Sequence, residues 1–266
     1  MTRVAVIGHV EWVDFLEVLR FPRPGQVTNA LGGVARAAGG GGVAAVIMSE
    51  LEAGVDFYTA LGDDARGRDA QAQIEDRGVR VHVAWRDQPT RRAITLLEAG
   101  GERTIITLGE RLEPGGADDL DWGRLDDAAS VYFTAGDADA LRHARRSPVV
   151  VASPRARDVL ESAGVRIDAL VFSESDHDEA TWAKRVAGQT RLLVATEGAH
   201  GGRWWGESEG RWDAAPLPGA PRDSYGCGDS FAAAFTLGLG RGDSIAEAAA
   251  LGAQAGARTL TRVGAP

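Results

Sequence analysis

A carboxylate, Asp229, directly follows the glycine-bracketed turn Gly226-Cys227-Gly228 and opens a run rich in Ala, Phe and Leu. Two glycines around one small residue let the backbone turn tightly and come close to a ligand. The run 229–239 reads as a buried helix. The turn therefore presents unpaired N–H groups at a helix N-terminus, an anion site with Asp229 at its mouth. Donors for an anion beside a fixed base are what phosphoryl transfer to a hydroxyl requires: one part neutralises the moving group, the other takes the proton. The same four residues also suit an ordinary helix start, where an acid in the first turn is favourable. The longer string, Asp223 to Phe231, separates the two readings.

The elements that must position this turn can be read from period and punctuation. Residues 3–8 form a short apolar run ending in Gly, a buried strand opening an α/β sheet. An excursion over 11–38 follows, with a turn at Phe21 to Gly25 between polar–apolar strands. The pattern predicts a helix over 42–53, a strand over 55–61 and an amphipathic helix over 65–77. Segments 91–98 and 102–108 alternate as strands around Ala99-Gly100-Gly101, a hairpin. Strands near 130–134, 148–152, 168–172 and 190–196 alternate with helices. A second hairpin around 202–213 precedes two final helices. Such alternation implies a mainly parallel sheet covered on both faces, and 266 residues suit one domain spanning 1–266.

Composition excludes several partners. A formal charge of −9 argues against nonspecific nucleic-acid binding, which needs a basic surface. No apolar stretch approaches a membrane span, and the N-terminus lacks the pattern of a signal peptide. A lone cysteine excludes a disulfide framework and suits the cytoplasm. Without a Cys/His cluster a structural zinc site is not expected.

Asp-x-x-Gly-x-Gly-Asp-x-Phe, as it stands at 223–231, resembles the signature of the ribokinase-like (PfkB) carbohydrate kinases, with Ser224 for the usual Thr and Cys227 for the usual Ala. The resemblance implies a three-layer α/β/α fold with a mainly parallel sheet, and a small β lid built from 11–38 and 91–108. It implies ATP and magnesium as cofactors, Asp229 as the base, and the N–H groups of Gly226, Cys227 and Gly228 around the γ-phosphate. Gly228 would need to lack a side chain, for close phosphate approach and for any positive φ. Thr196, Gly198 and Gly201 resemble the Thr-x-Gly-x-x-Gly loop that lines the ATP site. Ser173 and Asp176 fall where the family's Asn-x-x-Glu acts on magnesium through water. Asp223, with Ser224 and the segment near Gly264, matches positions that hold a monovalent cation, potassium, in some members. Gly62-Asp63-Asp64 with Gly67 also matches the family and reads as a helix start. A homodimer through the lid is a further implication.

On the acceptor side Gly39 and Gly40 keep the paired glycines of the family's Gly-Gly-Lys-Gly-Ala-Asn, while Gly41 and Ala44 replace its Lys and Asn. The strict Gly-x-Gly-x-x-Gly of a dinucleotide loop is absent. Counting back from Pro22, Glu11 and Val13 stand where the family has Asn-x-Asp; a one-residue slip would bring in Asp14. Trp12 reads as packing, and His9, at the first strand's end, as a residue facing the pocket. With these polar contacts gone, ribose and fructose are not expected as acceptors, and the Glu11 charge would favour an amine or a dense set of donors. Two functions stay open: a kinase for a small sugar, polyol or nucleoside-like acceptor, and a noncatalytic sensor on the same fold.

Overall fold

A computed structural model of the chain describes residues 2–98, 103–264 and 266. Among the described residues nine strands form the main sheet: β1 (Arg3–Ile7), β4 (Gly54–Gly62), β5 (Arg80–Arg86), β8 (Ser130–Phe133), β9 (Val150–Ala152), β10 (Ile167–Ser173), β11 (Thr190–Thr196), β12 (Gly202–Gly206) and β13 (Gly210–Trp212). Their order is β13-β12-β11-β10-β9-β8-β1-β4-β5, parallel from β11 to β5 and antiparallel in the β11-β12-β13 hairpin edge. Strand alternation explains the three layers. On β1, Val4 and Val6 enter one core and Ala5 and Ile7 the other. The first core holds α1 (Gly39–Glu50), α2 (Ala65–Glu75), α6 (Cys227–Arg241) and α7 (Ile245–Leu260); the second holds α3 (Ala138–Ala144), α4 (Arg157–Ser162) and α5 (His177–Arg185). Small residues bring α6 and α7 together: a β-carbon on Gly238 would lie 2.9 Å from the Ala248 backbone.

The lid is a separate sheet of β2 (Glu11–Val18), β3 (Gly32–Ala38), β6 (Arg92–Glu98) and β7 (Arg103–Leu108), ordered β3-β2-β6-β7. Val13, Phe15 and Ala93 join it to the first core, and Phe15 meets Tyr225 edge-on with ring centroids 5.0 Å apart. The expected turn at 99–101 lies outside the described residues.

Three boundaries differ from the sequence reading. Strand β5 was not expected; Arg80, His82 and Arg86 interrupt its apolar pattern because it is the sheet's edge and is only half covered. Helix α1 starts at Gly39 instead of 42, because its glycines lie flat against the end of β1. A β-carbon on Gly41 would stand 2.9 Å from the Gly8 and His9 backbone. The helix ends at Glu50 because the chain then turns through Glu52 with φ 62°.

Asp64 caps α2 and ties it to the root of the lid. Its carboxylate accepts the N–H groups of Gly67 (2.8 Å) and Thr90 (2.9 Å) and the Thr90 hydroxyl (2.8 Å). Burial alone would raise its pKa, but these donors outweigh it and hold the carboxyl below its ordinary 3.8. The folded pKa is the lower one, so the contribution is present above the unfolded value and lost as pH falls through the folded one. Asp64→Ala is expected to cost about 1–2 kcal/mol at pH 7, with a smaller difference from wild type near pH 3. Urea unfolding at both pH values measures it; a penalty equal at both would contradict the ionised cap.

Candidate active site

The parallel strands end at one edge of the sheet, and in open α/β sheets ligands bind beyond the strands' carboxyl ends. There α6 begins. Its N-cap is Gly226, at φ 74°, where a β-carbon would also lie 3.0 Å from Val43 Cγ1. Only glycine holds this corner without strain. The first helical bond runs from Ser230 N–H to Gly226 O, 2.8 Å. Of the N–H groups before it, that of Cys227 turns back to Ser224 O at 3.3 Å, so those of Gly228 and Asp229 are the ones the helix leaves unbonded by position. Gly228 is helical, and beyond its chain neighbours and its own helix backbone nothing lies within 4 Å of where its β-carbon would be. Burial pushes the Cys227 thiol up to about 12, which makes it an inert spacer.

Asp229 is buried, and its Oδ1 accepts a hydrogen bond from Arg155 Nη1 at 2.5 Å. Arg155 comes from the turn that follows β9. Gly40 lies against this pair: a β-carbon there would lie 3.0 Å from Asp229 Oδ1, 3.1 Å from Arg155 Nη1 and 3.3 Å from Thr134 Oγ1. Gly39, at φ 83°, gives its N–H to the Tyr225 hydroxyl (3.1 Å), so the acceptor glycines and the 223–229 turn are joined directly.

Glu11 faces the same cleft. Burial raises its pKa although Arg91 opposes, its Oε1 lying 3.0 Å from Arg91 Nε. His9 Nε2 stands 3.8 Å from that oxygen. Burial first, then Arg155, Arg111 and Arg91, hold His9 well below the usual imidazole value, so it is neutral, and its buried Nδ1 has no hydrogen-bond partner among the described residues. The alternative residue Asp14 falls on the other face of β2, as strand alternation requires, where it pairs with Arg92 at 3.2 Å. Glu11, Gly39 and Gly40 thus lie on the side of Asp229, and Asp14 on the opposite face of β2.

Ser173 and Thr196 pair at the ends of β10 and β11, with the Thr196 hydroxyl donating to Phe172 O (3.2 Å). Gly198 and Gly201 both have positive φ, and Gly201 lies so close to Trp212 O that no side chain fits. Asp176 stands at the start of α5. Its Oδ1 accepts the N–H groups of Asp178 and Glu179, both at 3.1 Å, making it the cap of its own helix. Glu179, one turn further on, lies in the field of Arg155 and Asp229. Burial raises its pKa, and its Oε2 accepts Ser173 N–H at 3.1 Å. Asp223 has both oxygens engaged, by the N–H groups of Tyr225 (2.9 Å) and Gly264 (3.0 Å). From the lid, Arg103 reaches the Ser224 hydroxyl.

Arg155 and Glu179 were not singled out from sequence. The signal for Arg155 was its place just beyond a parallel strand's carboxyl end; for Glu179 it was a carboxylate one turn into α5, where an inward face begins.

The sequence profile of the pfkB family carbohydrate kinases matches residues 1–266. A ribokinase of Arabidopsis thaliana is 27% identical over 139 residues, 50% of this chain and 35% of that protein. An inositol 3-kinase of Oryza sativa subsp. japonica is 32% identical over 220 residues, 79% of this chain and 50% of that protein. The chain thus spans half or less of the length of these relatives. The structure of Arabidopsis thaliana ribokinase complexed with ribose and ATP superposes with a TM-score of 0.81 at 21% identity, covering 100% of this chain and 95% of that one. That likeness establishes the three-layer fold with its second, smaller sheet.

Proposed function

The chain belongs to the pfkB family of carbohydrate kinases, and from that premise we propose that it transfers the γ-phosphoryl group of ATP to a hydroxyl of a small sugar, polyol or nucleoside-like acceptor. The observation that carries this reading is the meeting of Asp229 with the side-chain-free Gly40 at the N-terminus of α6. A hydroxyl lying over Gly40 is within reach of the carboxylate. Asp229 takes the hydroxyl proton as the oxygen bonds to the γ-phosphorus. The bond from that phosphorus to the β,γ-bridging oxygen breaks, and ADP leaves. The N–H groups of Gly228 and Asp229, with the helix dipole, receive the charge that builds on the phosphoryl oxygens. Thr196, Gly198 and Gly201 line the nucleotide side. The lid, with Arg103 on Ser224, excludes water from the transfer.

Magnesium fits the donor set near Glu179, a carboxylate made uncomfortable by burial and thus favoured by a cation. Glu179, with Ser173 beside it, would hold it through water, and its chemistry there is to neutralise the phosphates. Potassium fits less well: both Asp223 oxygens are taken by main-chain donors, and no step is derived through it. Exposed Ile105 and Ile106 on the edge strand β7 support a homodimer through the lid. Among the described residues no helix is long and apolar enough to cross a membrane.

ADP release against hexoses, pentoses, polyols, amino sugars and nucleosides, with detection of the phosphorylated product, tests the reading. At least one class should reach a kcat/KM of about 10⁴ M⁻¹s⁻¹ or more, and ribose and fructose should not. ATP binding without any phosphorylated product across all classes would overturn the kinase in favour of a sensor.

A further inference from the structure

Beyond Phe15 the lid parts from the body, and a cavity of about 450 Å³ lies between them. None of Glu11, Gly39, Gly40 and Asp229 lines it, so it is separate from the cleft described above. Glu17 continues the parity of Glu11, Val13 and Phe15, which are buried, yet it is exposed because it overhangs this space. Glu98 ends the neighbouring strand β6, where it pairs with Val18, one residue along from Glu17. From the body, Arg222 borders the cavity, its N–H donating to Leu260 O (2.8 Å) at the end of α7. Val18, Leu31, Leu97, Leu260 and Val263 supply apolar walls, and Leu31 is 70% exposed.

The charges around this space are unmatched, unlike those beside Asp229. Among the described residues the side chains of Glu17, Glu98 and Arg222 have no hydrogen-bond or ion-pair partner. Asp223 borders the cavity too, but both its oxygens accept main-chain N–H groups. Two carboxylates on adjacent strands repel each other, and a cation between them relieves the cost. The lid thus brings two free acids, the body one free base, and both bring apolar surface that is left uncovered.

We propose that this cavity binds an apolar α-amino acid. The ammonium meets Glu17 and Glu98, the carboxylate meets the planar guanidinium of Arg222, and the side chain covers Leu31 and the walls. A cavity of this volume, apolar with a few polar anchors, is of the kind that takes small molecules. The ligand touches lid and body at once. It therefore favours the arrangement in which Arg103 of the lid reaches Ser224, because its full contacts exist only where both walls are present. Control of turnover through the lid rests on the kinase reading; the binding itself does not.

Calorimetry on the full chain compares phenylalanine and leucine with analogues that keep one charge: phenethylamine and isoamylamine, hydrocinnamate and isocaproate. At least one amino acid should bind with a Kd of about 1 mM or tighter. It should exceed both of its analogues by about 10- to 100-fold, the range of a charge-assisted hydrogen bond. The Glu17→Gln, Glu98→Gln double variant should lose binding by that factor, and so should Arg222→Gln. None of the three residues is buried, so both variants should keep the wild-type melting temperature. Hydrogen exchange in β2 and β6 should slow when the amino acid is bound; exchange left unaltered would overturn the clamp on the lid. Amines that bind as tightly as the amino acids would overturn the zwitterion, and undiminished binding to both variants would overturn the site. Absence of binding by either amino acid overturns the proposal, whatever phosphotransfer assays show. Binding that falls in both variants, in a protein that phosphorylates nothing, would uphold the site while the kinase reading failed.

Discussion

Asp229→Asn is expected to lower kcat by about 10²–10⁴, the usual contribution of a positioned general base, with little change in fold or ATP affinity. The amide has the same shape but cannot accept the hydroxyl proton. It also loses the charge that holds Arg155 at 2.5 Å. That loss is softened because the guanidinium is 42% exposed and can rehydrate within the cleft. Thermal stability should therefore move little. Steady-state kinetics beside a melting curve measures both. Turnover within a few-fold of wild type would mean that another group takes the proton.

Gly228→Val should separate ATP use from stability. Gly228 has no positive φ: that conformation belongs to Gly226, at 74°, while Gly228 is an ordinary helical residue. Outside its chain neighbours and its own helix backbone nothing stands within 4 Å of where its β-carbon would go, so the fold accepts valine, whose helix propensity is no worse than that of glycine. The open space lies at the anion end of α6, beside the N–H groups assigned to the γ-phosphate. Filling it should reduce kcat/KM for ATP by about 10²–10³, comparable to losing one oxyanion donor, with the melting temperature retained. An unchanged kcat/KM would remove the phosphate from this helix end.

Much of this molecule is local in origin. The period of the apolar residues carried the α/β alternation, because a strand buried on both faces and a helix buried on one leave different spacings. The run from Asp223 to Phe231 carried the start of α6, since its glycines, acid and apolar helix are consecutive in the chain. The Asp64 cap was legible for the same reason: donor and acceptor are three residues apart.

What escaped is set by contacts between distant segments. Helix α1 begins three residues early because Gly41 must lie against Gly8 and His9. Asp14 and Glu11 differ only in strand parity, and parity acquires meaning once β2 has paired and one face has closed on the cleft. Asp176 and Glu179 share one short segment, and the start of α5 decides which caps the helix and which turns inward.

The sequence by itself determined the fold class, the family signature and the acid at the head of α6. Tertiary structure alone decided the electrostatics around Asp229 and Glu11. Arg155 is 74 residues from Asp229 in the chain, and Arg91 and Glu11 meet only across the lid. Coulombic interaction depends on separation in space and on burial, and neither is encoded in the order of residues. A lone Glu11 in the sequence reads as a negative pocket; in the fold Arg91 stands 3.0 Å from its carboxylate and offsets that charge.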